Sequence, residues 1–126
     1  PCPVCGYLVF DEPPGSYTIC PFCFWEDDQV QLGYPLMAGG ANRVSLYEAQ
    51  QRFMRDGASN YRFTGNVRQP ADSDRRDPLW RPFDPLRDPH LRWDSEADRE
   101  RWQALGADAC LYYWRDDYWL SPRRMD

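Results

Sequence analysis

Short apolar runs separated by turn residues dominate the beginning of the chain. Residues 7–10 (Tyr-Leu-Val-Phe) and residues 16–19 (Ser-Tyr-Thr-Ile) have the length and composition of short strands. The Asp-Glu-Pro-Pro-Gly sequence between them is typical of a turn. The pattern therefore predicts a β-hairpin over residues 7–19.

Helical spacing first appears after residue 45. The sequence Ser-Leu-Tyr-Glu at residues 45–48 is a capping box, in which Ser45 accepts a hydrogen bond from the amide of Glu48. It predicts a helix over residues 46–56 that ends at Gly57. The apolar stripe of this helix, which we expect to pack on the hairpin, consists of Leu46, Ala49, Phe53 and Met54.

Two other stretches are predicted to lack regular structure. Residues 29–42 contain three glycines and a proline and are predicted to be a loop, where glycine permits close packing or a positive φ. Residues 66–92, which we call the arm, contain five prolines that exclude a long helix. We expect the arm to be extended and anchored on the domain by Trp80 and Phe83. A flexible linker is the alternative, although serine and glycine are scarce here.

A second helix and a second hairpin are predicted near the C-terminus. Asp94 or Ser95 can cap a helix that reaches Leu105, just before Gly106. The aromatic-rich residues 109–114 and 118–120 predict two strands joined by a turn.

Four of the five cysteines lie in two CPxC pairs at the ends of the predicted N-terminal hairpin. Two residues separate the members of each pair, and fourteen residues separate the pairs. Two such pairs supply the four soft ligands of a closed tetrahedral zinc site, and a hairpin between them is the plan of a zinc ribbon. The sequence therefore predicts a structural Zn²⁺ covered by Phe24 and Trp25. Its ligands are Cys2, Cys5, Cys20 and Cys23.

The predicted fold class is accordingly α+β. A small zinc-ribbon-like β-hairpin module carries a packed helix, a proline-rich extended arm, and a C-terminal helix followed by a β-hairpin.

Catalysis is not favoured by the remaining residues. Four thiolate ligands leave no open metal position for water or substrate. A CPxC motif is also found in dithiol redox proteins, but here no βαβ pattern surrounds either copy. His90 is the only histidine and has no evident nucleophile beside it. Cys110 lies in an apolar run, where a small buried side chain is the ordinary role of cysteine.

Location is predicted from what the sequence lacks. No run of about 18 apolar residues is present, so no membrane span is expected. The sequence does not begin with a basic segment followed by an apolar one, so we expect a cytoplasmic protein. In that reducing compartment paired cysteines bind metal more often than they form disulfides.

Several motifs resemble the bacterial cysteine-rich CPCC domain family. They are residues 2–7 (Cys-Pro-Val-Cys-Gly-Tyr), residues 19–28 (Ile-Cys-Pro-Phe-Cys-Phe-Trp-Glu-Asp-Asp), residues 38–42 (Ala-Gly-Gly-Ala-Asn), Ser45-Leu46 with Glu48-Ala49, and Val67-Arg68 through Arg76-Asp77-Pro78 to Trp80 and Pro82. The resemblance implies a small zinc-binding bacterial protein and brings no defined activity. The namesake run of the family often has a further cysteine where this chain has Val4.

The resemblance also divides the chain. Residues 1–84 form a cysteine-rich CPCC-like zinc-binding domain, and residues 85–126 form an aromatic and acidic extension packed on it.

Charge is unevenly distributed and favours a basic protein partner. Residues 1–36 carry five acids and no basic residue, and residues 94–126 carry eight acids and five arginines. The acids that follow the second CPxC pair form either a solvated rim or a partner contact. Aromatics beside acids near the C-terminus are typical of interfaces. The candidate partner-binding residues are Glu26, Asp27, Asp28, Tyr113, Trp114, Asp116, Asp117 and Trp119.

The sequence thus predicts a non-enzymatic zinc-binding protein that acts through protein–protein interaction. One concrete form is an immunity protein or antitoxin that inhibits a basic toxin. The alternative is a zinc-ribbon nucleic-acid-binding or regulatory protein, for which an acidic ribbon is poorly suited. A local basic patch could still serve that role, formed by Arg43, Arg52, Arg55, Arg62 and Arg68.

Overall fold

The computed structural model of the chain describes residues 1–121. Within that range the helices are α1 (Gln29–Gly33), α2 (Leu46–Asp56) and α3 (Glu96–Gln103), with a short 3-10 helix at Tyr61–Phe63. The β structure of the same range consists of three isolated bridges. Irregular segments held by side-chain hydrogen bonds therefore make up most of the fold.

The predicted N-terminal hairpin is wrong. Tyr7 pairs with Arg76 of the arm, and Ile19 pairs with Glu26, so residues 7–10 and 16–19 are not partners. The second segment instead folds back over its own CPxC pair, where the amide of Asp27 donates to the carbonyl of Thr18. Residues 7–10 thus pair with the arm, and residues 16–19 pair with the residues just after the second CPxC pair. Neither backbone pairing needs the intervening Pro-Pro turn.

Helix α2 forms as predicted. The Ser45 hydroxyl accepts from the Glu48 amide at 3.1 Å, and Gly57 ends the helix with a φ of 83°. The apolar stripe differs from the prediction because Met54 is 53% exposed while Gln50 is fully buried. Leu46 and Ala49 are buried as predicted.

The residues assigned to a loop at 29–42 include the unpredicted helix α1. Asp28 caps this helix by accepting from the amides of Val30 and Gln31. The sequence predicts Asp28 as part of a solvated rim or a partner contact and does not predict this capping role.

The arm lies along the first CPxC pair. The Leu8 amide donates to the carbonyl of Arg75, and the Asp77 amide donates to the carbonyl of Gly6. Phe83 is buried, and the Trp80 indole donates to the carbonyl of Pro3. The arm is therefore anchored by the two predicted aromatic residues.

The C-terminal region keeps its predicted helix and loses its predicted hairpin. Ser95 caps α3 by accepting from the Asp98 amide, and α3 ends before Leu105. Cys110 and Tyr118 form a parallel bridge, which a hairpin cannot contain. Two successive turns, closed by hydrogen bonds to the carbonyls of Tyr112 and Arg115, separate the paired segments.

Buried apolar side chains form one cluster that includes the four CPxC cysteines. The C-terminal residues in this cluster come from the irregular segments on either side of α3, and α3 itself buries no side chain completely. Within residues 1–121, every helix is too short or too polar to cross a membrane. The C-terminal contributors to the cluster are Leu91, Leu111, Tyr113, Trp114, Tyr118 and Leu120.

Candidate metal centre

The four predicted ligand atoms lie close together inside the protein. The Sγ atoms of Cys2, Cys5, Cys20 and Cys23 all lie within 4.8 Å of one another. The Cys2–Cys23 and Cys5–Cys20 pairs are separated by 3.5 Å and 3.7 Å. A tetrahedral ion with metal–sulfur bonds of about 2.3 Å places its sulfurs about 3.8 Å apart. The four thiols therefore fit a tetrahedral metal ion.

The thiols are buried and reduced. Each of the four residues is 0% exposed, and none of the five cysteines forms a disulfide. Burial of this kind excludes solvent from the sulfurs.

Two copies of the same backbone turn hold the sulfurs. In the first turn the amide of Gly6 donates to the carbonyl of Cys2, and in the second the amide of Phe24 donates to the carbonyl of Cys20. The amide of Phe22 also donates to the Sγ of Cys20 at 3.4 Å. Each CPxC pair thus forms a closed backbone turn, and in the second turn a backbone amide also donates to a cysteine sulfur.

The residue after the second cysteine of each turn has a positive φ. Gly6 adopts a φ of 80°, and Phe24 adopts a φ of 67° at the equivalent position. A Cβ atom on Gly6 would lie 2.7 Å from the indole ring of Trp80. Glycine is therefore favoured at position 6 by its backbone angle and required there by the arm packed against it.

Gly6→Ala is expected to destabilise the protein by about 3 kcal/mol, because it combines a strained backbone with a clash against the Trp80 ring. Gly39 has a φ of 89° but open space where its Cβ would lie. Gly39→Ala is therefore the matched control and is expected to lose only about 1 kcal/mol. Urea unfolding of the metal-loaded proteins measures both. Equal losses would show that Trp80 does not confine Gly6.

Burial makes a charged thiol cluster unfavourable without a cation. Burial raises the pKa of Cys2 and of Cys23 well above the ordinary thiol value. Hydrogen bonds from the neighbouring thiols lower the pKa of Cys20. A bound divalent ion would stabilise all four thiolates together, which supports the assignment of the cluster to metal binding.

A family model described as cysteine-rich CPCC matches residues 1–74, more than half of the chain. The chain belongs to the cysteine-rich CPCC family. The match ends about ten residues before the predicted limit of residue 84. No curated protein matches the sequence.

Two arginines of the arm lie over the turns of the two CPxC pairs, which we call the first and second knuckles. The guanidinium of Arg68 lies 4.4 Å from the ring centroid of Phe22, and that of Arg76 lies 4.6 Å from that of Tyr7. Arg76 also donates to the carbonyl of Cys5 at 2.8 Å. Four thiolates and one divalent ion leave two negative charges uncompensated, and these cations offset part of that charge.

The acidic motif after the second knuckle is structural rather than solvated. Asp27 and Asp28 are buried. Asp27 accepts from the amide and hydroxyl of Ser16, and Asp28 caps α1 and accepts from the Ala41 amide at 2.8 Å. The prediction of a solvated acidic rim is therefore wrong for both residues.

The glycine-rich motif of residues 38–42 packs on this network. A Cβ on Gly40 would lie 2.5 Å from a carboxylate oxygen of Asp28. The Gln31 amide group donates to the carbonyls of Met37, Asn42 and Val44. The loop is thus held on α1 by Gln31, a buried glutamine that is not among the predicted site residues.

A second buried glutamine connects α2 to the turn of the first CPxC pair. The Gln50 amide group donates to the Pro3 carbonyl at 2.9 Å and to the Tyr113 hydroxyl at 2.8 Å. Its carbonyl oxygen accepts from the Phe83 amide at 2.8 Å. Gln50 therefore joins the first knuckle, the arm and the C-terminal segment. The sequence signal for this role is the position of Gln50, a polar residue, within the apolar stripe of α2.

The remaining predicted site residues occupy different environments. Trp25 is fully buried, whereas Phe24 is half-buried and packs on Phe63 with ring centroids 4.7 Å apart. Tyr113 and Trp114 are buried, and the Trp114 indole donates to Asp77. Buried side chains cannot contact a partner, so four candidates leave the predicted surface: Asp27, Asp28, Tyr113 and Trp114. Glu26 and Trp119 are half-buried, and Asp116 and Asp117 are exposed.

Proposed function

We propose that this protein is a non-enzymatic zinc-binding domain that acts by binding another protein. The observation that carries the proposal is the closed set of four buried thiols, which leaves a tetrahedral ion no position for a substrate or a water molecule. Four thiolates favour zinc among the ions that accept tetrahedral sulfur coordination. The zinc would stabilise the fold and carry out no chemistry.

The surroundings of the other reactive side chains support a non-catalytic role. The His90 ring packs edge-on against Phe83 with centroids 5.2 Å apart, and its Nδ1 lies 2.9 Å from the Asp88 carbonyl. Burial raises the pKa of the Cys110 thiol, which keeps it protonated and unreactive at neutral pH.

An acidic cleft supports a basic partner. The cleft has a volume of about 270 Å³ and lies between the Pro13-Pro14 turn and the segment from Ala107 to Asp117. Asp117 lines it, and the exposed acids Asp11 and Glu12 directly precede the prolines. The fold thus brings the turn that follows Asp11 and Glu12 beside Asp117.

The one arginine on the cleft does not cancel this charge. Arg115 lies at 2.8 Å from the buried carboxylate of Asp77. Burial alone would raise the pKa of Asp77, but hydrogen bonds from Trp114 and Arg115 outweigh it and lower that pKa. The Asp77 carboxylate therefore remains charged and neutralises Arg115. An immunity protein or antitoxin that covers a basic toxin is the partner type that this charge distribution suits.

Co-purification with tagged, metal-loaded protein, followed by mass spectrometry, tests the proposal. A basic protein should be recovered, and the triple variant Asp11→Asn, Glu12→Gln, Asp117→Asn should lower its recovery by about tenfold. The matched control neutralises three exposed acids elsewhere: Asp72, Glu96 and Glu100. Equal recovery with both triple variants would contradict a role for the acidic cleft.

Nucleic-acid binding is the second candidate, favoured by the exposed arginines over the knuckles. Arg68 and Arg76 stack on aromatic rings, an arrangement that also suits nucleic-acid bases. The patch expected around α2 is weakened because Arg52 pairs with Glu48 and Arg55 pairs with Asp56. Salt-dependent RNA binding that Arg68→Gln weakens, without recovery of a protein partner, would favour this candidate.

A further inference from the structure

A small cavity opens beside the second knuckle, at a place that the metal site does not use. Its volume is about 160 Å³, and it lies between the knuckle, the loop at 41–44 and the 3-10 helix. Its apolar walls are Ile19, Phe24, Val44 and Phe63. An apolar cavity of about 150 Å³ accommodates a benzene-sized group, so this one has room for one ring or one branched side chain.

Phe24 holds one wall of the cavity in a conformation that residues with a Cβ disfavour. Its φ of 67° matches the φ of Gly6 in the first knuckle, where glycine adopts it freely. Its ring packs on Phe63, which is another wall of the cavity. A bulky residue in a position suited to glycine points to a role for its side chain beyond folding.

Two opposite charges line the same cavity without pairing. Glu26 and Arg43 both contribute to its wall. Within residues 1–121 neither side chain makes an ion pair or a hydrogen bond, with each other or with any other group. The backbone of Glu26 is fixed by two hydrogen bonds with the Asn42 side chain. Because the cavity is small, one small molecule can reach both charges.

We propose that this cavity binds a free apolar α-amino acid such as phenylalanine or leucine. The side chain packs between Phe24 and Phe63, the carboxylate pairs with Arg43, and the ammonium pairs with Glu26. Arg43 is exposed and Glu26 is half-buried, so a zwitterion can pair with both while its side chain covers the apolar walls. This inference goes beyond the proposed protein-binding function and does not depend on it.

The test is a titration of the full-length, metal-loaded protein, followed by amide chemical shifts. L-Phenylalanine, added up to about 10 mM, should give saturable shifts at residues 24, 42 and 63. N-acetyl-L-phenylalanine amide, which has the same side chain and neither charge, should bind at least about tenfold more weakly. Equal binding of the blocked compound would overturn the proposal and indicate a site for a side chain of another protein. The absence of saturable shifts with L-phenylalanine would also overturn it.

Substitutions identify the three contacts. Arg43→Gln and Glu26→Gln should each weaken binding about tenfold. Phe24→Gly should abolish binding while keeping the metal, because glycine accepts the backbone angle. Arg55→Gln, on an exposed arginine outside the cavity, is the control and should leave binding unchanged. Unchanged binding in the Phe24→Gly protein, with its metal retained, would contradict the assigned site.

Discussion

The Cys23→Ser protein is expected to be unfolded at 25 °C under conditions in which the parent chain is folded. Cys23 is fully buried with its Sγ 3.5 Å from that of Cys2, so serine would remove one of four ligands and leave a hydroxyl among the remaining sulfurs. Structural zinc contributes about 10 kcal/mol or more to folding in small zinc domains. A domain has only about 5–15 kcal/mol of net stability, so loss of the metal is enough to unfold it.

The fifth cysteine provides the matched control for this prediction. Cys110 is half-buried and its thiol donates a weak hydrogen bond of 3.9 Å to the carbonyl of Tyr112. Cys110→Ser should therefore retain one metal ion per chain and a nearly unchanged melting temperature. Native mass spectrometry counts the ion, and circular dichroism follows unfolding. A Cys23→Ser protein that retained the ion and the melting temperature of the parent would show that the four-thiol site does not support the fold.

Gln50→Ala is expected to cost about 3 kcal/mol of unfolding free energy. The substitution removes three hydrogen bonds at once, to Pro3, Phe83 and Tyr113. It leaves the Phe83 amide without its partner inside the protein and creates a cavity, and each effect costs about 1–3 kcal/mol. Loss of the Pro3 contact should also loosen the first knuckle and lower the affinity for the metal.

Gln51 is the same residue type at the next position of α2, and it is exposed. Gln51→Ala should change the unfolding free energy by less than about 0.5 kcal/mol. Guanidinium titrations of the two metal-loaded variants measure the difference. Similar stabilities would mean that the buried hydrogen bonds of Gln50 add nothing beyond the helix propensity of the position.

The features that could be predicted from the sequence are those set by local chemistry. Two CPxC pairs are enough to predict the four buried thiols, because each turn places its own two sulfurs side by side. Helix α2 follows from Ser45 and Gly57, which act within a few residues of themselves. Trp80 and Phe83 were predicted as anchors because large aromatics in a proline-rich arm need a surface to cover them.

The predictions that failed depended on long-range partners. The length and composition of residues 7–10 and 16–19 indicate strands but do not say which segment each will pair with, and Tyr7 pairs with residue 76. Asp27 and Asp28 have the composition of an exposed rim, yet backbone amides of Ser16 and Ala41 stabilise them in the interior. The place of Gln50 in the apolar stripe of α2 indicates burial but does not identify its partners, which come from three distant segments.

By itself the sequence determined the two cysteine turns and the main helix, since turns, caps and thiol spacing operate over a few residues. Only the tertiary structure decided which polar side chains are buried. It also placed Phe24 in a backbone conformation suited to glycine and brought the Pro13-Pro14 turn beside Asp117. The physical reason is that burial of a polar group is stable only when its hydrogen-bonding partners are present, and those partners here lie up to 63 positions away in the chain.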